Sequence, residues 1–313
     1  MPTPTTAHIT RIEAAISGGL AAKSSVAASW VRSAQLYRLD PASRSGDSRI
    51  TASELALARD QLGPLLPTAA PHLDRLFQIV SGLGACIVLA DSRGVVVDRR
   101  GAPGDDRSFE QSGLWTGTIW SEADVGTNGI GTCLAEGRAV TIHRDQHFLA
   151  RNIGLSCSSA PVHGPDGRLA AVIDVSTART DLGDAVAGLI GSTVAEVARK
   201  VEADLFHLEF PRARVVLVPG LDRGLGALLA VDADDLVIGA TRAARQHLGV
   251  TGDLATAPRL LSDLLGLDSH DTMDKAERGV LTRALVRSSG NISAAARALG
   301  LSRATLHRKL DRG

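Results

Sequence analysis

Apolar and polar positions along the chain change their period several times, and each change predicts a different kind of element. Over residues 1–68 apolar side chains recur at helical spacing, first Ile12, Ala15 and Ile16, then Leu55, Leu57 and Leu62. This predicts an N-terminal helical segment interrupted by the polar run Pro41–Asp47. Over residues 69–210 the period changes at Pro71, and Cys86–Ala90, Val95–Val97, Ala139–Ile142, Ser158–Val162 and Leu169–Val175 read as strands. Asp91–Gly94 and Gly164–Gly167 have turn composition between two of these pairs, so a meander is expected. Leu182–Leu208 returns to helical spacing through Val186, Ile190, Val194 and Val197, either as a dimer and signalling element or as a sheet-covering helix. Residues 211–268 hold shorter strands, Val215–Val218, Leu228–Val231 and Leu236–Ile238, before a helix over Thr241–Leu248. The expected class is α+β and multidomain, with flanking helices on a sheet and an all-α C-terminus.

Residues 272–313 carry the sharpest pattern. A helix is predicted over Met273–Arg287, with Val280, Leu281, Ala284 and Leu285 inward, Asp271 or Thr272 as cap, and Asp274 and Glu277 at its positive end. The run GNISAAARALGLSRATLHRKL follows, from Gly290 to Leu310. Ala295 and Leu299 give one apolar stripe, Leu306 and Leu310 another, and Ala294, Ala295 and Ala296 allow close helix approach. Gly300 supplies a left-handed stop and Ser302 a cap for the next helix. Two short helices meeting at such a break form a helix-turn-helix. With Leu306 and Leu310 inward, Ala304, Thr305, His307 and Arg308 turn outward, while Ser302 and Arg303 sit at the amide-rich helix start. From Thr272 onward nine Lys/Arg face three Asp/Glu, in a chain whose formal net charge is zero. A basic module on an acidic body suits double-stranded DNA. A hairpin that merely packs has no need of Gly300-Leu301-Ser302 followed by an exposed cationic face.

The 313 residues exceed one typical domain, and aromatics are only 3%, so the cores must be built from Leu, Val, Ile and Ala. No apolar run of about eighteen residues and no basic, apolar leader is present, so a cytoplasmic protein without membrane contact is expected. Cys86, Cys133 and Cys157 are too few and scattered for a disulfide framework or zinc cluster, and no cofactor or metal is expected.

The segment Glu277–Leu310 resembles the Fis-type helix-turn-helix that ends many bacterial enhancer-binding regulators. The resemblance implies that Asn291 and Ser293 touch DNA backbone and that Ser302, Arg303, Thr305, His307 and Arg308 approach the groove, with Lys309 among the cations there. It also implies a homodimer on a two-fold site. A second signature runs from Trp120 to Gly137, WSEADVGTNGIGTCLAEG. Its three close glycines do not follow the first strand of a βαβ unit, which excludes a dinucleotide loop. Together with LSCSSAP at Leu155–Pro161, Leu169–Ser176, Trp30–Ser33 and Leu39–Pro41, it resembles the GAF domain of the acetoin-catabolism regulator family. That resemblance implies a cavity for a small-molecule effector, an alcohol, ketone or diketone, walled by Gly126–Cys133 and the strand at Cys157. Trp120, Asn128, Thr132, Cys133, His147 and Cys157 are the candidate ligand-binding residues. Residues 211–268 would then be a PAS-like unit or a connector.

One departure from that family stands out. The chain contains no G-x-x-x-x-G-K-[ST] phosphate loop, and about five residues separate Leu267 from the first DNA-binding helix. The expected protein is therefore a ligand-responsive transcription regulator, not an enzyme and without ATPase activity, acting on DNA and through RNA polymerase or a related regulator. Two alternatives remain: an interaction protein forming mixed dimers with a full-length ATPase-type regulator, and a thiol enzyme like the GAF domains that reduce free methionine sulfoxide. The latter needs a cysteine of lowered pKa, whereas Cys133 falls within the helical pattern Gly126–Glu136. Cys133, His143, His147 and Cys157 could form a metal or thiol–imidazole site, or Cys157 could simply face the core. His163, just before a turn, reads as solvated.

Overall fold

The computed structural model describes residues 4–19, 24–43, 48–219, 226–267 and 273–311, and the chain divides into two compact units, residues 1–259 and 260–313. The larger unit opens with α1 (Pro4–Ser17), α2 (Ser25–Val31), a π-helical turn (Arg32–Leu36), α3 (Ala52–Gln61) and α4 (Leu65–Val80). Thr51 and Glu54 close a capping box that starts α3. The predicted change of period at residue 71 comes later. Pro71 lies inside α4, and Leu73, Leu76 and Val80 continue its buried stripe. The inward positions are Leu55 and Ala58 in α3 and Leu62 just after it, and the expected packing residue Leu57 points outward.

A five-stranded antiparallel sheet follows, from β1 (Ala85–Asp91), β2 (Val96–Arg100), β3 (Val140–His143), β4 (Ser156–His163) and β5 (Leu169–Thr177). The strand order is β2-β1-β5-β4-β3, not a sequential meander. The last strand enters the centre because β1 and β5 are each buried along nearly their whole length, and a strand apolar on both faces belongs inside a sheet. One face, through Ile87, Leu89, Ile173 and Val175, packs against α4 and α8 (Asp184–Glu209). The other, through Cys86, Val88, Cys157 and Val172, packs against Ile12 of α1, Trp30 of α2, Phe109 of α5 (Asp106–Gln111), Val125 of α6 (Glu122–Val125) and Ile130 and Cys133 of α7 (Gly129–Glu136). Helix α8 continues past the sheet, and its end carries a second antiparallel set, β6 (Arg214–Leu217), β7 (Leu228–Val231) and β8 (Leu236–Ala240), with α9 (Arg242–Leu248) after it. Phe206, Phe210, Leu228 and Ala230 form that small core.

The smaller unit holds α10 (Leu261–Leu265), α11 (Met273–Arg287), α12 (Ile292–Ala298) and α13 (Arg303–Asp311). Its core is Leu281, Ala284, Ala295, Ala296 and Leu306, with Leu285, Leu299, Leu301 and Leu310 packed around it. Val280, expected inward, is 43% exposed, because the stripe that meets α12 and α13 is centred on Leu281, Ala284 and Leu285. The predicted caps Asp271 and Thr272 lie outside the described residues.

Candidate functional site

In the C-terminal unit the Asn291 side chain accepts from the amides of Ser293 and Ala294, each at 3.1 Å, and starts α12. Gly300 ends that segment at φ +64°, and the Leu301 amide donates back to the Ala296 carbonyl at 2.8 Å. Ser302 Oγ then accepts from the Thr305 amide at 3.1 Å and starts α13. Leu306 is fully buried, which leaves Ser302, Arg303, Ala304, His307 and Arg308 exposed along one side of α13. Asn291 and Ser293 are exposed at the start of α12. Two predicted residues sit differently. Thr305 is half-buried, its hydroxyl 2.8 Å from Ser302 Oγ in the cap, and the half-buried Lys309 pairs with Glu277 on α11.

In the larger unit two polar groups are built into otherwise apolar packing. The first frames the loop between α6 and α7. Asn128 Oδ1 accepts from the Gly131 amide at 2.8 Å, and Nδ2 donates to the carbonyls of Gly126 (2.8 Å) and Trp120 (3.1 Å). Thr132 Oγ1 accepts from the Asn128 amide at 3.3 Å, and the Trp120 indole donates to the Gly113 carbonyl at 2.9 Å. Glu122, 3% exposed, accepts both Arg32 Nε (2.9 Å) and Nη2 (3.0 Å), and Arg32 reaches on to Glu136. This charge-assisted pairing raises the Arg32 guanidinium pKa and fastens the π-turn to α6 and α7. Arg32 and Glu122 belong to the sequence signatures, yet their pairing was not readable from spacing.

The second group lies on the sheet itself. In the strand register Cys157 stands opposite Ser176 and Ser159 opposite Asp174, while Cys86 pairs with Ser176 from the other side. Asp174 is fully buried and accepts from Ser159 Oγ at 2.5 Å and Ser176 Oγ at 2.6 Å. Ser176 Oγ is 3.0 Å from Cys157 Sγ, and Cys157 Sγ is 3.3 Å from His147 Nε2. His147 Nδ1 meets the Arg144 carbonyl at 2.8 Å, which makes Nε2 the acceptor for the thiol. The result is a continuous chain His147–Cys157–Ser176–Asp174–Ser159. Asp174 was absent from the sequence candidates; its signal was a carboxylate in the apolar alternation of Ala171–Val175.

Burial raises all three thiols, Cys157 most clearly, so none offers the lowered pKa that thiol redox chemistry needs. Among the described residues no group of three or more His, Cys, Asp or Glu could hold a metal ion; His143 is instead 2.9 Å from Ser156 Oγ. His163 is not solvated. It is 7% exposed, and its Nδ1 lies 2.7 Å from Glu202 on α8. Trp120, Asn128, Thr132, Cys133, His147 and Cys157 are all at most 2% exposed, and none lines the surface cavities of about 480 and 350 Å³.

Burial also sets a pH dependence. Asp174 is raised from its ordinary 3.8 to about 6 and His147 lowered from 6.5 to about 4, desolvation being the main cause of each. A raised carboxyl costs stability as pH climbs through about 4 to 6, whereas a lowered imidazole costs stability as pH falls through about 6.5 to 4. The two slopes oppose each other in the parent. Asp174→Asn removes the first slope, so its stability relative to the parent should be higher at pH 8 than at pH 4.5 by on the order of 2 kcal/mol. Urea unfolding at both pH values checks this; an equal change at both would contradict it.

The smaller unit thus carries a basic helix-turn-helix and the larger a mixed α/β fold built on an antiparallel sheet. The model of the MimR N-terminal domain matches residues 3–196, and that of the Fis family of bacterial regulatory proteins matches residues 272–313. The chain belongs to the MimR N-terminal domain family. It is 33% identical over 235 residues to the acetoin catabolism regulatory protein of Cupriavidus necator, covering 74% of this chain and 35% of that relative. To the acetoin dehydrogenase operon transcriptional activator AcoR of Bacillus subtilis it is 32% identical over 151 residues, 48% of this chain and 25% of the relative. To the propane 2-monooxygenase operon transcriptional activator MimR of Mycolicibacterium smegmatis it is 34% identical over 181 residues, 56% and 29%. The matches thus span about a third or less of those relatives' own length. The crystal structure of the E. coli DhaR(N)–DhaL complex shares the fold, with a TM-score of 0.53 at 18% identity over 76% of this chain and 80% of that one. Among the described residues no helix is long and apolar enough to cross a membrane.

Proposed function

We propose that this chain is a ligand-responsive transcription regulator that binds operator DNA as a homodimer and acts without hydrolysing ATP. The observation that carries the reading is the exposed row Ser302, Arg303, His307 and Arg308 on a helix whose opposite side is sealed by Leu306. Asn291, which caps α12, and exposed Ser293 would position α12 against phosphate, and α13 would enter the major groove. The antiparallel sheet with helices on both faces supports a GAF-type sensor over residues 69–210. The β6–β8 set supports a small PAS-like or connector unit over 211–268. The named relatives control acetoin and propane metabolism, which favours a small oxygenated aliphatic effector. The chain Cys157–Ser176–Asp174 with His147, beside Cys133, is the polar interior such a molecule would engage, within the frame set by Trp120, Asn128 and Thr132.

Control would follow if the effector has different affinity for two arrangements of the dimer. RNA polymerase or a related regulator would then read the occupied site. Arg303→Ala and Arg308→Ala are each expected to weaken operator binding and to lower the salt slope by about one per lost phosphate contact. Gel shifts with the full chain on its own upstream region, over a salt series, measure both. Should the parent protect no operator DNA by itself but do so when mixed with an ATPase-type relative, the mixed-dimer alternative takes its place.

A further inference from the structure

Beyond the sensor interior and the DNA face, a cavity of about 350 Å³ opens between the first sheet and α9, lined by Arg138, Arg199, Arg242, His163, Glu202 and Gln246 among others. Its charge is unbalanced. Glu202 is already engaged, one carboxylate oxygen accepting from both the His163 amide and Nδ1 at 2.7 Å. Arg138 shares Glu136 with Arg32. Among the described residues Arg199 and Arg242 make no hydrogen bond or ion pair, although Arg199 lies near enough to Glu196 to lower its pKa. The His163 side chain is more than nine-tenths buried, yet its Nε2 has no hydrogen-bond partner. A buried polar nitrogen without a partner is costly in a folded protein, and here it belongs to a residue lining a cavity with three guanidinium side chains.

We propose that this cavity is a second small-molecule site, specific for a compact oxyanion bearing more than one negative charge, such as a phosphoryl group or a small polycarboxylate. The guanidinium forks suit paired oxygens, and His163, its Nδ1 held by Glu202 and its Nε2 unpartnered, is the buried polar residue in the same lining. Such a ligand would bridge the α7–β3 connection at Arg138, α8 at Arg199 and α9 at Arg242. It would thereby clamp the second sheet to the first. This site is independent of the uncharged effector proposed for the sensor interior.

The full chain is tested by thermal shift and calorimetry with inorganic phosphate, with citrate, and with uncharged glycerol at equal millimolar concentration. Phosphate, citrate or both should raise the melting temperature and glycerol should not; which anion acts tells phosphoryl from carboxylate recognition. Arg199→Ala and Arg242→Ala should each weaken binding by about tenfold or more, equivalent to about 1.4 kcal/mol, with the ligand-free melting temperature unchanged. Arg242→Lys should recover part of that loss, and Arg168→Ala, at an exposed arginine outside the cavity, should bind as the parent does. No response to either anion, or a response that survives both alanine variants, overturns the proposal. If these variants weaken duplex DNA binding alone, the cavity is a nucleic-acid contact and the small-anion site is likewise overturned.

Discussion

Gly131→Ala should lower the stability of the 1–259 unit by about 3 kcal/mol, the upper part of the range for overpacking a closed site. A Cβ there would stand 2.5 Å from the Glu122 amide nitrogen, 2.7 Å from the Trp120 carbonyl oxygen and 2.8 Å from Asn128 Nδ2. Two of these atoms are backbone and cannot swing aside. Both are pinned, Trp120 by the Asn128 side chain and Glu122 by Arg32. Relief would require breaking the Asn128 frame, which exposes buried donors and acceptors to an environment without water. Chemical denaturation of the purified variant reads the change as a lower midpoint at unchanged slope. A shift below about 0.5 kcal/mol, the size of an ordinary surface change, would mean that the frame is soft.

Leu306→Ala should unfold the C-terminal helix-turn-helix and abolish operator binding while leaving the larger unit's melting unchanged. Leu306 is fully buried at the meeting point of α11, α12 and α13, in a core that among the described residues has five buried side chains. Truncating such a leucine costs about 2–5 kcal/mol. A module this small has a margin of only a few kcal/mol, so the loss is decisive where the same change in a larger core is tolerated. Helical signal and gel shift should fail together. Arg308→Ala is the contrasting case, since it should weaken binding and leave the fold intact. A Leu306→Ala protein that binds as tightly as the parent would refute the packing described.

What was legible in the sequence follows what local chemistry determines. The helix over Met273–Arg287, the break at Gly300, the cap at Ser302 and the hairpin turn at Asp91–Gly94 each rest on neighbours within a few residues, and each is found. The order of the sheet was not legible, because placing β5 between β1 and β4 depends on which strands are buried on both faces, a tertiary property. The same holds for single positions. His163 read as solvated because a turn follows it, but Glu202, thirty-nine residues away, reaches back to it. Lys309 read as a free cation until Glu277 of another helix met it. Asp174 was overlooked because polar residues in strands usually face water, whereas here both sides of the strand are covered. Of the predicted pocket residues, Cys157 and His147 do meet, whereas Asn128, Thr132 and Trp120 hold a loop.

The central place of β5 also shapes how the molecule is born. While the chain emerges from the ribosome, β1 has a partner on one edge through β2, but its other edge stays bare until Leu169–Thr177 arrives. Every residue of β1 is destined for burial, so an incomplete nascent chain displays a sticky, hydrogen-bond-hungry ribbon of the sort that recruits foreign strands. Synthesis that stalls before Thr177 should therefore yield aggregates rather than a smaller soluble product.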